Sequence, residues 1–349
     1  MFRTILVIIL MFVFPYSSSF ANSSEEYLKG EIISVTEENE QKKYSIEIFE
    51  GSLDGQRIEF PLDSALTDKT VDYKIGDKVL VSYIQTEMGE EVFQITDYLR
   101  TGPLCVLLLF FILLSLIVAG KKSLYSIIAM LLSFLVIFAL ILPEILNGKD
   151  PIIVATIGSV IIVPITFFLS HGFNKKTTVA ILGTLVALLI TVFFSVLFVN
   201  LTHLNGYASE EVLFLNNSEL NLKGILLAGI IIGALGVLDD ITISQSAIVF
   251  EMRGINKEAS SLEIFFRSMR IGKDHIASMI NTLVLVYAGA SLPLLLLFVN
   301  DDRNFSEIVN MESISTEIVR TLVGSIGLML AVPVTTFIAC WWGDKRVRG

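Results

Sequence analysis

Residues 224–250 read GILLAGIIIGALGVLDDITISQSAIVF, and this stretch decides the fold class of the chain. Its apolar residues continue well beyond the length of a strand, and about 20 apolar residues are what a helix needs to cross a bilayer. Two adjacent carboxylates, Asp239 and Asp240, interrupt the stretch. An acid at the centre of a membrane helix costs roughly 2.5–3.5 kcal/mol on insertion scales, so it usually faces a bundle interior, a wet cavity or a partner. The pair is therefore the first candidate for a functional site.

The composition of the whole chain also indicates a membrane protein. Hydrophobic residues make up 53% of the sequence and charged residues 17%, and the mean hydropathy is +0.72. These values are far from those of a soluble domain. Residues 101–349 are predicted to form an α-helical polytopic bundle of about seven membrane-spanning helices, at about 103–119, 123–142, 151–170, 177–199, 223–247, 276–299 and 319–341.

The N-terminus has the pattern of a secretory signal peptide. Arg3 precedes a short apolar stretch, Ile5–Phe14, and Ser19 and Ala21 form a small-x-small cleavage pattern. We expect residues 1–21 to be removed, and an uncleaved anchor is the alternative. In both cases the chain from Asn22 onward is expected outside the cytoplasm.

The positions of Lys and Arg predict the orientation of the helices. Cytoplasmic loops carry an excess of these residues, and seven helices with an outside N-terminus place most of the basic residues inside. The sequence therefore predicts an N-out, C-in protein of the bacterial plasma membrane, with the lipid bilayer as its first partner. The residues that carry this prediction are Lys121, Lys122, Lys175, Lys176, Arg253, Lys257, Arg267, Arg270, Lys273, Lys345, Arg346 and Arg348.

Residues 22–100 have a different character. Five short segments alternate apolar with polar residues, and turn pairs such as Asp54-Gly55 and Gly76-Asp77 separate them. This pattern predicts a small extracytoplasmic all-β domain, a barrel or sandwich with an OB-like number of strands. The domain holds 18 acidic and 8 basic residues, and this balance of −10 equals the formal charge of the chain. This balance disfavours nucleic acid, and none is predicted as a partner, because phosphate binding needs a basic surface.

Further polar candidates follow the acid pair. Thr242 and Gln245 come next on the same helix, and the sixth predicted helix opens with GKDHIASMINTLVLVYAGAS. Helical spacing places Asp274, Ser278 and Asn281 on one face, with His275 beside them. The sequence therefore predicts an ion or substrate site formed by Asp239, Asp240, Thr242, Gln245, Asp274, His275, Ser278 and Asn281.

Each candidate also has a purely structural interpretation. Asp239 and Asp240 could cap a cytoplasmic helix that starts near Ile241. Asp274 and His275 could cap the sixth helix, since an acid in the first turn favours the helix dipole. Ser278, Asn281 and Thr282 could form hydrogen bonds between helices.

A weak internal repeat relates three of the predicted helices. Gly158, Gly233 and Gly324 each precede a Pro-x-Thr or Asp-x-Thr pattern. Pro164 and Pro333 are predicted to break two helices at matching depth. Broken helices around central acids are typical of a transport site.

Three blocks carry a resemblance to a known family: GALGVLDDITISQ at 233–245, GKDHIASMINTLVLVYAGASLPLLLLF at 272–298 and EIVRTLVGSIGLMLAVPVTTFIA at 317–339. In this order, together with the β-domain, they resemble the YibE/F family of bacterial multi-span membrane proteins, from about Lys29 to Trp342. The resemblance implies an integral membrane protein. It carries over no substrate, cofactor or catalytic residue.

Three functions remain open. The first is a channel or transporter of a small solute linked to a cation or proton, since two carboxylates in one site do not both ionise readily. The second is a non-catalytic anchor that presents the β-domain and pairs with a paralogous membrane subunit. The third is an intramembrane aspartyl hydrolase, which needs Asp240 and Asp274 within hydrogen-bond distance. The chain lacks a Gly-rich phosphate loop and a clustered metal-ligand spacing, so no cofactor is predicted and the metal content stays open.

Overall fold

The structure is a computed structural model that describes residues 25–38, 41–61, 72–85, 91–208, 220–299 and 304–342. The chain forms two compact units, and the boundary between them follows Gly120. The predicted signal peptide, residues 1–21, lies outside the described residues.

The described part of the first unit contains a five-stranded antiparallel sheet, followed by helix α1 (Thr101–Ala119). The strands are β1 (Glu25–Glu38), β2 (Gln41–Glu50), β3 (Arg57–Pro61), β4 (Lys78–Gln85) and β5 (Glu91–Tyr98). Their order is β3-β2-β1-β4-β5, so the long strand β1 lies at the centre and pairs with both β2 and β4. The predicted all-β domain is confirmed at the level of five antiparallel strands.

The alternating pattern of these strands puts one face into a core. On β2, Tyr44, Ile46 and Ile48 are buried at a spacing of two residues, because successive side chains of a strand point to opposite faces. On β1, Leu28 and Ile32 join the same core. Register shifts in β1 and β4 interrupt the pairing, and bulges of this kind increase the local twist of a sheet.

The second unit is helical. Its helices are α2 (Lys121–Leu146), α3 (Pro151–His171), α4 (Lys175–Leu201), α5 (Leu222–Ile255), α6 (Ser261–Ala290), α7 (Leu292–Val299), α8 (Phe305–Val309) and α9 (Glu312–Trp342). With α1, six of the described helices are long and apolar enough to cross a membrane, and the bent pair α6–α7 makes a seventh if it counts as one span. The number of predicted helices agrees with this range.

Side chains at the helix starts explain where four helices begin. Each accepts hydrogen bonds from backbone N–H groups of the first turn, which have no partner inside the helix. These capping residues are Asp150 for α3, Asn174 for α4, Asn221 for α5 and Ser260 for α6. The starts of these helices are therefore set locally by the sequence.

Two details differ from the predictions. Pro164 and Pro333 lie inside the uninterrupted helices α3 and α9, so the predicted breaks there are wrong. In membrane helices, neighbouring groups re-satisfy the backbone that a proline frees. The sixth predicted helix bends instead by 67° at the break after Ala290, where the backbone N–H of Ser291 closes the helix on the carbonyl of Tyr287.

Candidate functional site

The two acids lie inside a continuous helix. Helix α5 runs from Leu222 to Ile255 without interruption at Asp239 and Asp240. The interpretation of the pair as a cap for a helix starting near Ile241 is therefore wrong, since Ile241 is fully buried in the bundle core. Similarly, α6 begins at Ser261, so residues 274 and 275 cannot cap it.

The contacts of α5 show how the helices are arranged. Ser246 donates a hydrogen bond to the carbonyl of Lys176 (2.8 Å), and Thr242 shares a hydrogen bond with Thr184 (2.6 Å), so α4 and α5 run antiparallel. Under the predicted topology, the end of the bundle where α4 begins faces the cytoplasm. It is called the inner end, and the opposite end the outer end.

The depth of the acids follows from these contacts. Thr184 lies nine residues into α4, which corresponds to about 14 Å at the helical rise of 1.5 Å per residue. Asp239 precedes Thr242 by about one turn, so it lies about 18 Å from the start of α4. Helix α4 has 27 residues and is about 40 Å long. Asp239 therefore lies close to half the length of α4.

Below the acids, on the inner side, polar side chains form a buried layer. The amide of Gln245 donates to the hydroxyl of Thr336 on α9 (2.7 Å) and to the carbonyl of Ser268 on α6 (3.2 Å). Gln245, Thr242 and Thr336 are all fully buried. Their hydrogen bonds connect α4, α5, α6 and α9, so two of the predicted site residues, Thr242 and Gln245, join helices within the core.

Glycines allow these helices to approach closely. A Cβ at Gly272 would lie 2.9 Å from Oε1 of Gln245 and 2.7 Å from Val332. A Cβ at Gly183 would lie 2.2 Å from the hydroxyl of Thr335. Small residues at helix crossings are the usual route to close packing in membranes. The layer around Gln245 is therefore tightly packed.

Asp239 projects into the bundle beside α3. Its Oδ1 atom is buried and has no hydrogen-bond partner among the described residues. The hydroxyl of Thr166 on α3 is close enough to interact with the same carboxyl group. Thr166 itself donates to carbonyls of its own helix, those of Ile162 and Val163. A buried carboxyl oxygen without a partner is rare in native structures and calls for an explanation.

Asp240 lies on the exposed face of α5, within electrostatic range of two imidazoles. His171, at the end of α3, and His275, on α6, both interact electrostatically with its carboxylate. Lys176 and Lys122 lie near His171 as well. Asp239, Asp240, His171 and His275 are referred to as the acid–histidine group.

The structure does not bring the other candidates on α6 into this group. Asp274, Ser278 and Asn281 lie on the exposed face of α6, whereas Ser268, Gly272 and Leu283 face the bundle. Asp274 is not among the charged neighbours of Asp240. The shared face predicted from helical spacing exists, but it points away from the acids.

Sequence reasoning did not include His171, Thr166 or Thr184. His171 belongs to a different predicted helix, and the only signal was its position next to the helix end at Gly172. Thr166 follows Pro164 in the proposed repeat, and Thr184 lies in an otherwise ordinary apolar helix. The described residues contain no group of three His, Cys, Asp or Glu side chains arranged to hold a metal ion.

Long apolar helices with a pair of carboxylates about half-way along one of them define a membrane protein with titratable groups among its helices. The family model of the YibE/F-like protein matches residues 107–345. Because the match covers more than half of the chain, the chain belongs to the YibE/F-like family, and the predicted resemblance is confirmed. The matched range includes the helical unit and leaves out the sheet. No curated protein and no solved structure matches the chain.

Proposed function

We propose that the bundle is a secondary transporter that couples the movement of a small solute to protons, with the acid–histidine group as its proton site. The observation that carries the proposal is the buried, unpartnered Oδ1 of Asp239 next to Asp240 and its two imidazoles. An isolated charge is costly at this depth, and adjacent carboxylates repel each other when both are ionised. A proton shared within the group lowers both costs.

The group also contains the components of a proton relay. Imidazole is the side chain whose charge changes most readily between pH 5 and 8. Asp240 faces out of the bundle core, whereas Asp239 faces into it. A proton that moves from the His171 or His275 side to Asp239 by way of Asp240 would therefore pass from the accessible face to the interior.

The wider setting of this proposal is a bacterial plasma membrane with the N-terminus outside. It includes a removed signal peptide, an N-out, C-in bundle and a sheet that forms a partly open OB-type barrel. The pairing of the central strand β1 with both β2 and β4 supports the barrel, since that arrangement leaves β3 and β5 as the edges to be closed.

A specific observation favours a second candidate, a membrane subunit that works with a partner. Asp274, Ser278 and Asn281 form an exposed polar face on α6. Polar side chains within membrane helices usually face a partner or a wet cavity rather than lipid. A paralogous membrane subunit would cover this face. The hydrolase hypothesis receives no such support, because Asp274 lies on the exposed face of α6, whereas Gly272 faces Gln245 on α5.

Proton flux into proteoliposomes tests the transporter proposal. The full chain is reconstituted with a pH-sensitive dye inside the vesicles, and a proton gradient is imposed with a panel of cations and solutes outside. We expect flux with the wild type and a loss of at least tenfold in Asp239→Asn and Asp240→Asn. Asp274→Asn is the matched control, since it makes the same chemical change on the face that points away. Absence of wild-type flux under every condition, or unchanged flux in both aspartate variants, would refute the proposal.

A further inference from the structure

A large cavity lies at the outer end of the helical unit, away from the acid–histidine group. Helices α5, α6, α7 and α9, with Gly206 and Ala208 from the segment after α4, line an open cavity of about 810 Å³. Tyr287 lines the cavity, and its hydroxyl would lie 3.2 Å from a Cβ added at Gly233. A cavity of this size is in the range of small-molecule sites.

One wall of the cavity carries an ion pair. Arg320 Nη1 lies 3.0 Å from Oε1 of Glu317, one turn earlier on α9, and both side chains are largely shielded, with 31% and 24% of their surface exposed. This contact uses one of the five donors of the guanidinium. The Nε atom of Arg320 is buried and has no hydrogen-bond partner among the described residues.

A second polar atom points to a ligand at the same wall. Thr316, next to Glu317 on α9, is 3% exposed, and its hydroxyl has no partner in the described part of the chain. Buried hydroxyls and guanidinium donors are nearly always paired in native structures. Thr316 lines the cavity together with Arg320 and Glu317. Unused hydrogen-bonding capacity is therefore concentrated at one place.

The opposite part of the lining is apolar. It comes from α5 and α7 and includes Leu222, Ile225, Leu226, Pro293 and Leu294. A ligand that fills the cavity would thus place charged or polar groups against α9 and an apolar group against α5 and α7.

The ion pair decides the charge of that ligand. An anion bound to Arg320 in place of Glu317 would leave Glu317 as an unpaired, shielded charge. A cation bound to Glu317 would likewise leave Arg320 unpaired. Removing one partner from a shielded pair is strongly unfavourable. A zwitterion supplies a carboxylate for Arg320 and an ammonium group for Glu317, so both side chains keep an opposite charge.

We propose that this cavity binds a small zwitterion with an apolar side chain, of the amino-acid class, with its carboxylate on Arg320 and its ammonium group on Glu317. The assignment of this zwitterion as the transported solute rests on the transporter proposed above. Binding itself does not require transport.

Helix α5 connects the cavity to the acid–histidine group. Gly229, Gly233, Gly236 and Asp240 follow one another at intervals of three or four residues, and all four lie on its exposed face. Gly229 lines the cavity, and Asp240 lies eleven residues further along, or about 16 Å. The three glycines contribute no side chain to this face, and the hydroxyl of Tyr287 from α6 lies against it at Gly233.

Isothermal titration of the purified full chain with three matched compounds tests the proposal. Leucine is the zwitterion, 4-methylpentanoate lacks its ammonium group, and 3-methylbutylamine lacks its carboxylate. We expect leucine to bind and the two singly charged compounds to bind at least tenfold more weakly at neutral pH. Equal binding of either singly charged compound, or no binding of leucine, would overturn the proposal without requiring any variant.

Variants then locate the site. Arg320→Gln and Glu317→Gln should each weaken leucine binding at least tenfold, and Thr316→Val, which keeps the shape of the side chain, should weaken it several-fold. Lys149→Gln is the matched control, because Lys149 pairs with Glu144 outside the cavity. Unchanged leucine affinity in both Arg320→Gln and Glu317→Gln would contradict the assignment.

The two proposals fail separately. If the wild type binds leucine but shows no proton flux, the transporter proposal is refuted and the zwitterion-site proposal stands. If the wild type shows proton flux but does not bind leucine, the zwitterion-site proposal is refuted and the transporter proposal stands.

Discussion

The crossing of α4 and α9 provides a quantitative test of the packing. At Gly327 on α9, an added Cβ would lie 2.1 Å from the hydroxyl of Thr191 on α4 and 3.3 Å from its Cβ. Thr191 is fully buried, and its hydroxyl donates to the carbonyl of Ala187. The hydroxyl is therefore held in the position where the new methyl group would have to go.

These distances set the expected cost of Gly327→Ala. Forcing an extra methyl group into a packed core costs about 1–3 kcal/mol. Alanine recovers up to about 1 kcal/mol through its higher helix propensity. We expect the free energy of unfolding to fall by about 1–2 kcal/mol.

A double-mutant cycle isolates the contact. Thr191→Ala removes the hydroxyl and leaves the 3.3 Å contact between the two Cβ positions, so Gly327→Ala should cost little in that background. Equilibrium unfolding in mixed micelles gives the four free energies. We expect a coupling energy of at least about 1 kcal/mol between the two substitutions.

A matched glycine serves as the control. A Cβ at Gly289, in α6, meets no atom within 4 Å. Gly289→Ala should therefore leave the bundle as stable as the wild type or slightly more stable. The reasoning is refuted if Gly327→Ala behaves like Gly289→Ala, or if the coupling energy lies within about 0.5 kcal/mol of zero.

Two further predictions concern other parts of the chain. Arg253 donates to the carbonyl of Cys340 (2.9 Å) and to the hydroxyl of Ser261 (3.0 Å), so Arg253→Met should lower the free energy of unfolding by about 1–3 kcal/mol, and unchanged unfolding in mixed micelles would contradict this. Burial raises the pKa of Tyr44 and of Tyr73 above the ordinary value for tyrosine. Their contribution to stability is therefore complete below pH about 10 and is lost as the pH rises through the folded-state pKa. The difference between the ultraviolet titration curves of the wild type and Tyr73→Phe isolates the ionisation of Tyr73. We expect its midpoint above pH about 10, and a midpoint at or below pH about 10 would contradict the prediction.

The elements of the fold could be predicted from the sequence because their signals are local. The alternation of Tyr44, Ile46 and Ile48 indicates a strand with one buried face. Long apolar segments indicate membrane helices, since the transfer free energy of a residue depends mainly on its own side chain. The break after Ala290 also has a local signal, since Pro293 follows it by three residues and proline is a common cause of a sharp kink.

The candidate site could be predicted only in part. Asp239 and Asp240 were found because an acid within an apolar helix is costly wherever the helix packs. The rotation of α6 could not be read from spacing. Gly272 faces Gln245 and Val332, and this contact turns Asp274 and Asn281 outward.

The sequence by itself determined that this is a protein of apolar helices with a small sheet, and that two carboxylates lie within one of the helices. Only the tertiary structure decided that His171 and His275, from two other helices, interact electrostatically with Asp240, and that Arg320 and Glu317 share a cavity wall. The physical reason is the range of the interactions. Helix formation and bilayer partition depend on residues that are neighbours in the sequence. Contacts between helices join positions far apart in the chain, and many small packing interactions together determine which positions approach closely.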